Sequence, residues 1–96
     1  MPAFKDHAAD RRFQQMFADA DRTEHPVWAE YAVRGRARVI LHVEAHPALR
    51  GMGAAGRFMQ ALAEHARAEG LTLIPHCSYA VAWLKRHPEY EDVLGS

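Results

Sequence analysis

Arg50-Gly51-Met52-Gly53-Ala54-Ala55-Gly56 places three glycines and an arginine where a helical stripe begins. Glycine in a helix is about 1 kcal/mol less favourable than alanine, so three of them crowding the first turns need a reason. A helix N-terminus leaves N–H groups unpaired and carries a partial positive charge, and residues without side chains let an anion come close to those donors. Arg50 would add a charge-assisted contact. The spacing therefore reads as a phosphate-cradling loop, against the alternative of a flexible connection with no ligand. There is no Gly-Lys-Ser/Thr and no Gly-x-Gly-x-x-Gly, so the two common nucleotide loops are excluded.

Other residues could do chemistry nearby. His42 and Glu44 alternate along a strand-like run and should share a face, an imidazole beside a carboxylate. Cys77 and Tyr79 follow the short apolar run Leu71 to Ile74. A metal is not expected, because neither His76 with Cys77 nor His42 with His46 is completed by a second Cys/His pair at ligand spacing.

The elements that must hold these groups follow from periodicity. Val27, Ala29, Tyr31 and Val33 alternate with Trp28, Glu30 and Ala32, and the β-branched run Ala37 to Glu44 follows Arg34-Gly35-Arg36, so two strands should form a hairpin. In the second strand Val39, Leu41 and Val43 should share one face, with Ile40, His42 and Glu44 on the other. Ala54 to Glu69 carries Ala55, Phe58, Met59, Leu62 and Ala66 at helical spacing, and Gly70 should end that helix. Leu71 to Cys77 reads as a strand, and strand, helix, strand makes a right-handed crossover. Ser78 should cap a second helix from Tyr79 to Arg86, which His87-Pro88 ends, and Glu89 to Leu94 should add a last turn. In Arg11 to Ala18 either period fits: Phe13, Met16 and Phe17 make a helical stripe, and Phe13, Gln15 and Phe17 alternate.

With 96 residues the chain has room for one core, and the expected organisation is a loosely held segment 1–10 followed by a single domain 11–96. Twelve basic and twelve acidic side chains cancel, and no dense Lys/Arg stripe is present, so nucleic acid is not an expected partner. The seven histidines are scattered and read as solvated surface groups. No apolar run is long enough to cross a bilayer, the start Met1-Pro2-Ala3-Phe4 lacks a secretory signal's apolar stretch, and the single cysteine fits a reducing cytoplasm.

Arg50, Gly53 and Ala55 match the motif Arg/Gln-x-x-Gly-x-Gly/Ala. Around it stand His42-Val43-Glu44-Ala45, Ala48-Leu49-Arg50-Gly51, Pro75-His76-Cys77-Ser78-Tyr79 and Arg86-His87-Pro88-Glu89-Tyr90 in order. Together these resemble the minimal, single-domain members of the GNAT acetyltransferase superfamily from Val33 onward. Relatives commonly have His-Thr-Glu-Val and Cys-Pro-Tyr where this chain has His42-Val43-Glu44-Ala45 and Cys77-Ser78-Tyr79, and neither change removes a titratable group.

The resemblance implies an α+β fold, with a mixed, mostly antiparallel sheet, two main helices, and a strand-helix-strand core after an N-terminal meander. It also makes Arg12-Phe13 part of an edge strand. It implies that acetyl-coenzyme A is the co-substrate, held by Leu49, Arg50, Gly51, Met52, Gly53, Ala54, Ala55 and Gly56, with Cys77 lining the arm and Arg86 reaching a phosphate. Acetyl transfer to an amine needs a base and a proton donor. Glu44 with His42 is the expected base, Tyr79 the expected acid, and Cys77 a nucleophile or a channel wall; packing or solvated roles are the alternatives for each. The acceptor is an unidentified amine, and a monomer or weak homodimer is expected. The competing functions are a non-catalytic acyl-coenzyme A sensor and a small protein-interaction domain.

Overall fold

The computed structural model describes residues 4–95. Five strands lie side by side in chain order: β1 (Lys5–His7), β2 (Arg12–Ala18), β3 (Glu24–Arg34), β4 (Ala37–Ala45) and β5 (Thr72–Pro75). β1 to β4 pair antiparallel, and only β4 and β5 run parallel, joined by helix α1 (Ala54–Glu69). Helix α2 (Ser78–Arg86) follows β5, and a 3-10 segment, Pro88–Val93, closes the chain against α1 and α2. This is the expected mixed, mostly antiparallel sheet with two main helices.

Alternation decides β2. Phe13 faces Ala29 and Gln15 faces Val27 across the β2–β3 ladder, so Phe13, Gln15 and Phe17 point to one side. The helical reading of this segment loses because a strand lets Phe13 stack on Tyr31 at 4.3 Å and reach Phe4 at 5.6 Å. That burial outweighs a propensity difference of tenths of a kcal/mol per residue. The strand β1 extends the sheet within the first ten residues; Asp6 accepts a 2.6 Å bond from the Tyr31 hydroxyl. Burial, and then the Asp6 carboxylate, push the Tyr31 phenol up to about 12.

One buried cluster unites Phe13, Val27, Ala29, Tyr31 and Ile40 of the sheet with Phe58, Met59 and Leu62 of α1 and Trp83 and Leu84 of α2. Gly70 ends α1 as expected, with Leu71 N–H bonded to Ala66 C=O. α2 begins one residue earlier than the sequence implies: Ser78 is its first helical residue, and Cys77 stands at the N-cap without a side-chain cap bond.

The β4 faces are not those of simple alternation. A β-bulge between Glu30 and Tyr31 in the β3–β4 register sets Tyr31 opposite Ile40 and Glu30 opposite His42, which leaves Leu41 unpaired. Ile40 is thus buried with the core, whereas His42 and Glu44 are exposed on the far side from Val43. The extra residue reverses the facing in mid-strand, so Ile40 does not share a face with His42 and Glu44.

Candidate functional site

β4 and β5 separate at Ile40. Their ladder runs from Ala37 and Thr72 to Ile40 and Pro75, and then both His76 N–H and Cys77 N–H donate to the Ile40 carbonyl, at 2.9 and 3.1 Å. Beyond that point β5 has ended while β4 continues to Ala45, paired only with β3. The β5-side edge of β4 from Leu41 to Ala45 is therefore an open backbone edge, and α2 starts beside it.

The expected phosphate loop lies where this edge leads. Pro47 to Leu49 make a 3-10 turn whose cap is His46, with Nδ1 accepting from Ala48 N–H at 3.1 Å. Leu49 N–H, Arg50 N–H and Met52 N–H bond to the carbonyls of His46, Pro47 and Leu49. Leu49 is buried and Met52 packs on the core, so they anchor the loop while Arg50, Gly51 and Gly53 stay exposed. Gly53, the N-cap of α1, has φ of +70°, and Gly51 has +78°. Both precede the helix, so their role is a left-handed backbone that other residues adopt at a cost of about 1–2 kcal/mol, not dilution of helical turns.

The first helical bond is Arg57 N–H to Gly53 C=O, which leaves the N–H groups of Ala54, Ala55 and Gly56 without intrahelical acceptors. The Ala54 side chain belongs to the core. Gly56 faces α2: a Cβ there would lie 3.6 Å from Trp83 Nε1 and 3.9 Å from the Tyr79 hydroxyl. Tyr79 is thereby set beside the first turn of α1. Burial raises its pKa above the usual tyrosine value, with Arg86 pulling the other way and Cys77 adding to the rise, so the phenol keeps its proton at neutral pH.

Cys77 is half-buried against the core. Arg86, exposed two helical turns beyond Tyr79, donates from Nε to the Ala82 carbonyl at 3.4 Å. His42 Nε2 donates to Glu44 Oε1 at 2.8 Å, both side chains about half exposed. The fold thus gathers the loop, Cys77 and Tyr79 on the helix side of the open β4 edge. It sets the His42–Glu44 pair on the other side of the same strand.

The family model described as GCN5-related N-acetyl-transferase matches residues 15–93. The chain belongs to the GCN5-related N-acetyltransferase family. That membership makes it an acyltransferase of a family whose members generally use acetyl-coenzyme A. The fold agrees, since the NMR structure of a GCN5-like protein from Staphylococcus aureus superposes with a TM-score of 0.62 at 24% identity, over 98% of this chain and 88% of that one. The match includes the segment Ala18 to Pro26, which carries no recognisable motif.

Sequence reasoning missed the loop's support in this N-acetyltransferase. His25 and His46 are not solvated surface groups: their rings stack at 4.3 Å, and His25 Nε2 meets Asp19 Oδ2 at 2.8 Å. That bond, with N–H donors from Thr23 and Asp21, holds the Asp19 carboxyl below the usual aspartate value. A histidine immediately before a proline was the available signal, because proline at N1 favours a capped turn.

Proposed function

We propose that this N-acetyltransferase transfers acetyl from acetyl-coenzyme A to a primary amine in the opening between β4 and β5. The observation that carries the reading is the termination of the β4–β5 ladder at Ile40 with the N-terminus of α1 at the end of the exposed edge. The loop fits a pyrophosphate: exposed Arg50 supplies charge, and Gly51, Gly53 and the first amides of α1 supply donors. The free edge of β4 offers backbone partners to the amide-bearing pantetheine arm, as a missing strand would. Cys77 lines that path.

When bound, the co-substrate supplies an activated thioester. Glu44, oriented by His42, takes the proton that the attacking ammonium must lose, and Tyr79, protonated at neutral pH, donates one to the departing thiolate. Base and acid approach from opposite sides of β4, which separates the two proton transfers.

Calorimetry with acetyl-coenzyme A tests the reading, and absence of binding at millimolar ligand would sink it. Incubation with labelled acetyl-coenzyme A and a panel of amines then separates an enzyme from a coenzyme A sensor. The sensor reading draws on one feature: only the short turn from Asp19 to Thr23 joins β2 to β3, so no helix between those strands builds an acceptor wall. Loss of turnover in Glu44→Gln with retained binding supports the base assignment, and acetylated Cys77 in the intact mass would replace direct transfer with a covalent route.

A further inference from the structure

His46 is an unusual choice for the cap it makes. The turn Pro47–Leu49 needs one acceptor for the Ala48 N–H, and asparagine, aspartate or serine supplies that from a short side chain. The imidazole does the same through Nδ1 at 3.1 Å, and it adds a ring. That ring is stacked: its centroid lies 4.3 Å from that of His25, with 21° between the planes. His25 stands near the start of β3, opposite Phe17 in the β2–β3 ladder. Its Nε2 meets the Asp19 carboxylate at 2.8 Å, and the two side chains are only 19% and 15% exposed.

Each link orients the next. Asp19 Oδ1 accepts from Asp21 N–H at 2.8 Å and Thr23 N–H at 3.0 Å, which ties the carboxylate to the turn between β2 and β3 and leaves Oδ2 for His25. A carboxylate only accepts, so His25 Nε2 carries a proton and the ring's orientation is set. The His46 backbone N–H donates to the Pro26 carbonyl at 3.0 Å, which holds the second ring's backbone beside the first. Because His46 Nδ1 accepts, its own proton sits on Nε2. From His46 the chain enters the turn whose C-cap is Arg50, with Arg50 N–H bonded to the Pro47 carbonyl at 3.1 Å. The exposed residues Arg50, Gly51 and Gly53 have only Leu49 and Met52 as apolar anchors, so the loop inherits its direction from the turn.

We propose that His46 and His25 are positioning residues for coenzyme binding: a relay from Asp19 that sets the Arg50 loop in its phosphate-receiving geometry. The inference rests on the coenzyme reading of that loop. A cap alone would need neither the second ring nor its carboxylate, and a stack alone would need no acceptor at His46. The relay joins the turn between β2 and β3 to the coenzyme loop, which are distant in the chain.

Calorimetry with acetyl-coenzyme A and amide NMR of the ligand-free full chain test the relay. His46→Ala should weaken binding about tenfold. His46→Asn, which restores an acceptor for the Ala48 N–H, should recover most of that loss, whereas His46→Phe, which keeps a ring and lacks the acceptor, should not. His25→Ala should weaken binding roughly threefold although it alters no loop residue, and should shift the amides of residues 48–53 without ligand. Ring-nitrogen resonances of the parent should place the His46 proton on Nε2. Unchanged loop amides in His25→Ala, or parental affinity in His46→Ala, would overturn the relay while leaving coenzyme binding intact. Equal affinity in His46→Asn and His46→Phe would overturn it even if His46→Ala does not fold. A parent that binds no coenzyme would instead overturn the reading of the loop, and with it the purpose assigned to the relay.

Discussion

The two ends of α1 answer to different demands. At its C-terminal half the polar groups find partners: Arg67 makes a bidentate pair with Asp92 at 2.7 and 2.8 Å and donates to the Glu89 carbonyl, and the Tyr90 hydroxyl donates to Glu64 at 2.7 Å. At its N-terminal end Arg50 and Arg57 have no carboxylate in salt-bridge reach among the described residues, the backbone is held in left-handed conformations, and the first amides have no intrahelical acceptor. One helix is thus braced where it packs on the C-terminal segment and left unsatisfied at the loop for which coenzyme binding is proposed. The difference separates groups whose hydrogen bonds are completed within the chain from groups whose bonds stay open.

Tyr90→Ala should break the braced end most severely. It removes a ring that is 5% exposed and its bond to Glu64, at about 3–5 kcal/mol, read by chemical denaturation. Acetyl-coenzyme A affinity per folded molecule should not change. At the open end Gly53→Ala should cost about 1–2 kcal/mol through its positive φ and also weaken acetyl-coenzyme A binding, since the amides it orders would shift. Arg50→Ala should reverse the Tyr90 pattern: stability within about 0.5 kcal/mol of the parent, but affinity roughly tenfold lower by calorimetry.

Gly56→Ala sharpens the contrast between glycines. Its Cβ would meet Trp83 and Tyr79 at ordinary contact distance and its backbone is helical, so a gain of up to about 1 kcal/mol is expected where Gly53→Ala loses stability. The smallest effect is a pH dependence at the braced end. Hydrogen bonding from Arg67 holds the Asp92 carboxyl below its ordinary 3.8, so its contribution is fully present above that value and is lost as pH falls through the lower folded pKa. Melting temperature followed from pH 5 downwards should fall less steeply in Arg67→Ala than in the parent.

Much of this was legible from the chain. The limits of α1, from Ala54 to Glu69, follow from the apolar stripe and from Gly70, because both are local signals that need no distant partner. The Arg50–Gly56 loop was legible for the same reason, although the physical role of its glycines was not: Gly51 and Gly53 shape the backbone before the helix, and only Gly56 lies within it. His46 and His25 were read as solvated because their stacking joins β3 to the turn after β4, segments distant in the chain.

The sequence by itself determined the limits of α1, the hairpin and the glycine-rich turn before α1, since each is written in spacing along one segment, and the order of four motifs along the chain pointed to the family. Tertiary structure alone decided three things: the bulge that turns His42 and Glu44 away from Ile40, the separation of β4 from β5 at Ile40, and the burial of the Gln15 Oε1 without a hydrogen-bond partner. Each depends on register or packing between segments distant in the chain. A one-residue change in pairing reverses every side chain beyond it, and composition carries no record of that choice.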